Sequence, residues 1–133
     1  MRIIARFKDG RQLRGQTYDF ERTRPVFHLM TQNPETNKEE NVKIMLRELK
    51  GIFFVKSYKG DPDYRDKQEF TPADLILGKK IKVIFNDGEE MLGTTMGCDS
   101  DNIGFFILPA DRRSNNEKVF VVWDAVKKVS NEQ

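Results

Sequence analysis

Much of what usually betrays a function is scarce in this sequence. There is one cysteine, Cys98, which excludes an intramolecular disulfide and fits a reducing compartment. It has no second Cys or His to share a metal and no basic neighbour to lower its pKa. There is one histidine, His28, set between Phe27 and Leu29, where a packing or surface role outweighs a general base. Asp99, Asp101 and Asn102 open like a calcium loop, but Ile103 and Ala110 stand where ligands are needed. The residues therefore offer no catalytic group, no metal set and no cofactor site, and the expectation is not an enzyme. No run approaches 18 apolar residues and no charged segment leads into an apolar one, so a cytoplasmic chain with no membrane partner is expected.

Strong net charge is lacking too. The total is only +2, but it is unevenly spread. Residues 1–56 hold 12 Lys and Arg against 7 Asp and Glu, whereas residues 80–133 hold 7 against 9. What the sequence does have is a duplication. Arg2 to Gly15 lies over Lys80 to Gly93 at an offset of 78, which matches Asp9-Gly10 to Asp87-Gly88, Gly15 to Gly93 and Thr17 to Thr95. Phe27 and Leu29 fall on Phe105 and Ile107 at the same offset, and Val42 to Ile52 falls on Val119 to Val129 at an offset of 77. Three parts follow: repeat one at 1–56, a linker at 57–79 and repeat two at 80–133. Each repeat is too small to bury a generous core alone, so the two are expected to pack as one unit.

Alternation of apolar and polar residues over 2–8 predicts a half-buried strand, and Asp9-Gly10 a tight hairpin. Gly15, inside the returning strand, marks a sharp bend or a close backbone approach. Further strands are predicted at 26–30, 42–46 and 51–56, with a tight link at Arg47-Glu48. The second copy places them near 80–86, 89–97, 103–109, 117–123 and 126–130. Thr71-Pro72 starts a short helical turn over 72–77. The whole describes an all-β chain of two five-stranded small barrels.

Repeat two has more apolar residues than one inner face needs. With Ile81, Val83, Phe85, Phe105, Ile107, Val119, Val121 and Trp123 pointing inward, Ile84, Phe106, Leu108, Phe120 and Val122 point outward. That outer face is a candidate interface, covered by repeat one through Ile4, Met30, Met45, Phe53 or Phe54, by a second copy, or by a different protein partner.

The order of hairpin, glycine-bent strand, second hairpin and two final strands about a tight turn resembles the Sm-like fold, an SH3-type barrel. The pattern is similar to that of the bacterial RNA chaperone Hfq. The tandem form also resembles an uncharacterised bacterial domain family with two Asp-Gly…Gly halves. The Sm-like resemblance implies RNA binding through loops and through the turn between the last two strands. Here those turns are Arg47-Glu48 and Asp124-Ala125, and Asp124 repels phosphate. Only the basic first repeat offers contacts for a single strand: Phe20 for stacking, with Arg22, Arg24, Arg11 and Arg14. The favoured expectation is a non-catalytic protein-binding or assembly module, and single-stranded RNA binding is the alternative.

Overall fold

The computed structural model describes residues 1–33, 35–71 and 78–132. The helical turn expected at 72–77 lies outside the described residues. Among the described residues, repeat one supplies β1 (Ile3–Phe7), β2 (Gln12–Gly15), β3 (Val26–Gln32), β4 (Glu39–Met45) and β5 (Leu49–Val55). Repeat two supplies β6 (Lys79–Phe85), β7 (Glu90–Thr95), β8 (Gly104–Pro109), β9 (Asn116–Val122) and β10 (Val126–Asn131). The fold is all-β, and its two 3-10 turns occupy Leu46–Glu48 and Trp123–Ala125.

The duplication extends to the pairing registers. Ile3 faces Gly15 across β1 and β2, and Ile81 faces Gly93 across β6 and β7. Phe27 faces Ile44, and Phe105 faces Val121. The last strand of each copy returns to its first, pairing Ile3 with Phe54 and Ile81 with Asn131. Both Asp-Gly hairpins turn on a glycine with positive φ, 96° at Gly10 and 93° at Gly88, a conformation cheap only without a Cβ. In both, the preceding Asp accepts the N–H two residues on, at 3.0 Å from Arg11 and 2.9 Å from Glu89.

The two closed barrels expected from the pattern do not form. Eight strands make one sheet in the order β10-β6-β7-β8-β9-β5-β1-β2, while β3 and β4 stand apart as a two-stranded sheet. Two local features produce this. β5 pairs antiparallel with β9 and fuses the copies, with Ile52 opposite Phe120. Between β2 and β3 the ladder shrinks to a single bridge, Gln16 to Met30, so repeat one stays open there.

The apolar residues divide into two cores, and each draws on both copies. The eight residues expected to point inward in repeat two all join the second core, with Trp123 packed against it half-buried. Ile4, Phe53 and Val55 of repeat one join them. In return, Phe120 and Val122 are fully buried in the first core, beside Phe54, and Phe106 packs on it half-buried. β5 and β9 are therefore covered on both faces, which a continuous apolar run such as LKGIFFV requires. Much of the candidate outer interface is thus closed by repeat one: Ile84 is half-buried and only Leu108 is exposed. Ile4 and Phe53 contribute from the second core rather than as a cover, and Met30 and Met45 stay exposed.

Candidate functional site

The unpaired part of β2 borders a surface hollow. Antiparallel strands point alternate backbone groups to opposite sides. Leu13 and Gly15 face Ala5 and Ile3 in β1, whereas Gln16 exchanges bonds with Met30, its N–H donating at 3.0 Å and its C=O accepting at 2.7 Å. By the same alternation Gln12 and Arg14 turn their backbone groups away from β1. β2 and β3 touch most closely at Gly15, where a Cβ would come within 2.1 Å of the Met30 carbonyl oxygen. From there the strands diverge, leaving a groove of about 830 Å³ between Gln12–Gln16 and residues 30–39.

Its lining mixes polar and apolar side chains. Tyr18 is exposed on one flank, and on another Tyr58 donates its hydroxyl to the Gly15 carbonyl at 3.0 Å. Gln32 Nε2 donates to Asn37 Oδ1 at 2.7 Å, and Asn33 Nδ2 donates to Glu40 Oε1 at 2.8 Å. Asn33 Oδ1 accepts the Glu35 N–H at 2.8 Å and shapes the turn out of β3. The second hollow, of about 420 Å³, lies between Thr94–Asp99 and Gly104–Leu108, with Arg22 of repeat one on its rim.

The five residues expected to touch a nucleic acid are not brought together. Phe20 is half-buried among Phe27, Phe54, Phe106 and Phe120, with centroids 5.2 to 6.4 Å away, so its ring is used inside the molecule. Arg11 pairs with Asp9 at 2.8 Å and lies over the Phe7 ring, and Arg24 pairs with Glu21 at 3.0 Å. Arg14 lines the groove and Arg22 the second hollow. His28 meets Asp19, whose carboxyl is held below its usual range first by the His28 backbone N–H and then by the imidazole. Among the described residues no three His, Cys, Asp or Glu gather into a metal-sized cluster, and no helix is long and apolar enough to cross a membrane.

Two polar centres escaped the sequence reading. Lys50 is nearly buried on β5, and its ammonium donates to Asp87 Oδ2 at 2.7 Å and to Glu89, under the Phe85 ring. A lysine inside LKGIFFV was the available signal. Asp111, also buried, accepts the Tyr64 hydroxyl and, at 2.9 Å each, the N–H groups of Lys67 and Arg113. Burial pushes this carboxyl up, but those hydrogen bonds outweigh it and hold it below the usual range, while Tyr64 is pushed up by the same bond. Asp111 stands 78 residues after Asn33, with the same turn geometry, so the duplication pointed to it. Both centres tie the molecule together rather than face a ligand.

A family of unknown function, DUF6982, matches residues 1–132. No curated protein and no solved structure matches the chain.

Proposed function

We propose, for a chain that belongs to DUF6982, a non-catalytic protein-binding module that takes an extended peptide as an added strand along β2. The observation that carries this is the open side of β2, where the backbone of Gln12 and Arg14 borders the groove instead of a neighbouring strand. A row of unpaired N–H and C=O groups is a template for another strand, and main-chain bonds would supply much of the affinity. The side-chain amides of Gln12 and Gln16 border the β2 wall of the groove, while Gln32, Asn33 and Asn37 shape the opposite wall through their own hydrogen bonds.

The recurring order of hairpin, bent strand, second hairpin, 3-10 turn and returning strand supports the Sm-like reading of each copy. The alternative, a single-stranded nucleic acid, has less support, because Phe20 is spent in the core and Arg11 and Arg24 already hold carboxylates.

Selection of displayed random peptides against the purified protein tests the proposal. Enriched peptides should shift the amide resonances of Gln12 to Gln16 and lose about tenfold or more in affinity with Arg14→Pro, which removes one N–H from the open side. Peptides that bind Arg14→Pro as well as the parent, or a selection that enriches nothing, would end this reading.

A further inference from the structure

We propose that the hollow of repeat two, rimmed by Arg22 of repeat one, receives an aromatic side chain of a partner protein, with an acidic residue beside it meeting Arg22. This site is separate from the β2 groove and goes beyond the strand-addition reading.

The chain itself shows what belongs there. At the offset of 78, Cys98 stands where repeat one has Phe20, Gly97 where it has Asp19, and Phe106 where it has His28. In repeat one these residues close the space between the loop after β2 and strand β3. Phe20 sits edge-on to Phe27, with centroids 5.6 Å apart. Asp19 clamps the loop to β3, accepting the His28 N–H at 2.9 Å and meeting its Nδ1 at 2.7 Å. Repeat two keeps Phe105 in place of Phe27 but has no ring at Cys98; Phe105 instead meets Trp123, centroids 4.7 Å apart. The loop is held by other bonds, the Trp123 indole N–H donating to the Asp99 carbonyl at 3.0 Å and the Thr95 hydroxyl to the Phe106 carbonyl at 2.7 Å. What remains is a pocket of about 420 Å³, floored by Cys98, Phe105 and Phe106. Hollows of roughly 300 Å³ and more are the size that recognise small groups, and aromatic rings prefer the edge-to-face contact that repeat one displays.

The polar groups around the pocket match a peptide. Thr94, only 6% exposed, lines it, and its hydroxyl has no hydrogen bond among the described residues. Arg22 is exposed on the rim and, among the described residues, has no carboxylate partner. In repeat one the plug is flanked by acids, Asp19 and Glu21, so an acidic neighbour to the incoming ring brings Arg22 the charge it lacks. Asp99 also lines the pocket, one of its oxygens accepting the Asp101 N–H at 2.9 Å. Met96, 86% exposed, and Leu108, 41% exposed, lie on the same hollow. A small molecule filling the pocket would leave both wet, whereas the residues flanking a bound ring would cover them, and methionine adapts readily to such contacts. That favours a polypeptide partner.

The probe is a blocked peptide containing Asp-Phe-Glu, titrated into the ¹⁵N-labelled full chain. Shifts should concentrate at Thr94 to Asp99 and Gly104 to Leu108. Replacing the peptide's Phe by Ala should weaken binding at least tenfold, and Arg22→Gln in the protein about threefold. Cys98→Phe should restore the plug and abolish binding. Should that variant fail to fold, the parent protein modified at its one cysteine with a benzyl methanethiosulfonate gives the same occlusion, and binding should return when a reductant removes the benzyl group. Equal binding of the Ala peptide, undiminished binding by the occluded protein, or no shifts at millimolar peptide would overturn the proposal. Shifts confined to Gln12–Gln16 would overturn it too, while leaving the β2 groove reading intact.

Discussion

A Cβ on Gly51 would lie 2.8 Å from the carbonyl oxygen of Phe120. Gly51 stands opposite Val121, and the β5–β9 pairing converts two copies into a single sheet. Both cores depend on it, because Phe120 and Val122 enter one while Phe53 and Val55 enter the other. Gly51→Val therefore has to separate the strands or bend them, and should destabilise the whole chain by about 2 kcal/mol or more. Gly97→Ala is the control: nothing lies within 4 Å of its added Cβ, so a change within about 0.5 kcal/mol is expected. Denaturant midpoints decide, and equal midpoints for both variants would contradict the account of the β5–β9 contact.

Lys50 holds the same seam electrostatically. It reaches from β5 of one copy to Asp87 and Glu89 at the hairpin of the other. The Asp87 carboxyl is held below its usual range, first by the Lys50 ammonium and then by the Glu89 N–H. A carboxyl depressed in the folded state adds stability that is present above its unfolded pKa, near 3.9, and is lost as pH falls through the folded value. Because both carboxylates are about half exposed, solvent screening limits the pair, and Lys50→Met should cost about 1 kcal/mol at pH 7. Melting followed from pH 7 to 2 should show a shallower acid limb for Lys50→Met than for the parent. Parallel curves would mean that the ion pair adds nothing.

Asp111 fastens the linker. Its carboxylate gathers Tyr64, Lys67 and Arg113, and its carbonyl accepts the Ser114 N–H at 3.0 Å. Asp111→Ala frees the segment while leaving both cores alone, so trypsin should cut after Arg65 and Lys67 several times faster. The global unfolding midpoint should move by less than the Gly51→Val change. Unaltered cleavage would show that other contacts hold the linker.

The all-β class, the duplication, the Asp-Gly hairpins and the glycine close approaches were legible because each rests on local chemistry repeated twice. Gly15 and Gly93 both sit where a Cβ would strike a backbone oxygen, as a glycine inside a strand implied. The inward set of repeat two was legible from alternation alone. What alternation cannot reveal is which strands of different copies pair. The β5–β9 ladder is long-range, and only the unbroken apolar run of β5 hinted that both its faces are covered. The groove was hidden for a related reason: it exists because β2 and β3 part after one bridge, and strand divergence leaves no residue signature. The second hollow was written in the sequence as Cys98 opposite Phe20, but it becomes visible only once Phe20 is known to be a plug rather than an exposed stacking residue.

The copies also leave two edges that could repeat the β5–β9 contact between molecules, namely β10, the counterpart of β5, and β4, the counterpart of β9. A head-to-tail contact of this kind joins two different surfaces, so it would build rings or open chains. The sequence has altered those edges at the positions that matter. Lys128 stands where β5 has Gly51, and Ser130 where it has Phe53. Lys43, exposed on β4, stands where β9 has the buried Phe120. Arg11, paired with Asp9, stands where the ion-pair seam has Glu89. Lysines on an edge strand are a common guard against unwanted pairing. The parent chain should therefore sediment as a monomer at high micromolar concentration, whereas Lys43→Phe, Lys128→Gly and Ser130→Phe combined should self-associate in a concentration-dependent way. Chains formed by the parent through β4 and β10, or a triple variant that stays monomeric while folded, would show that these side chains do not guard the edges.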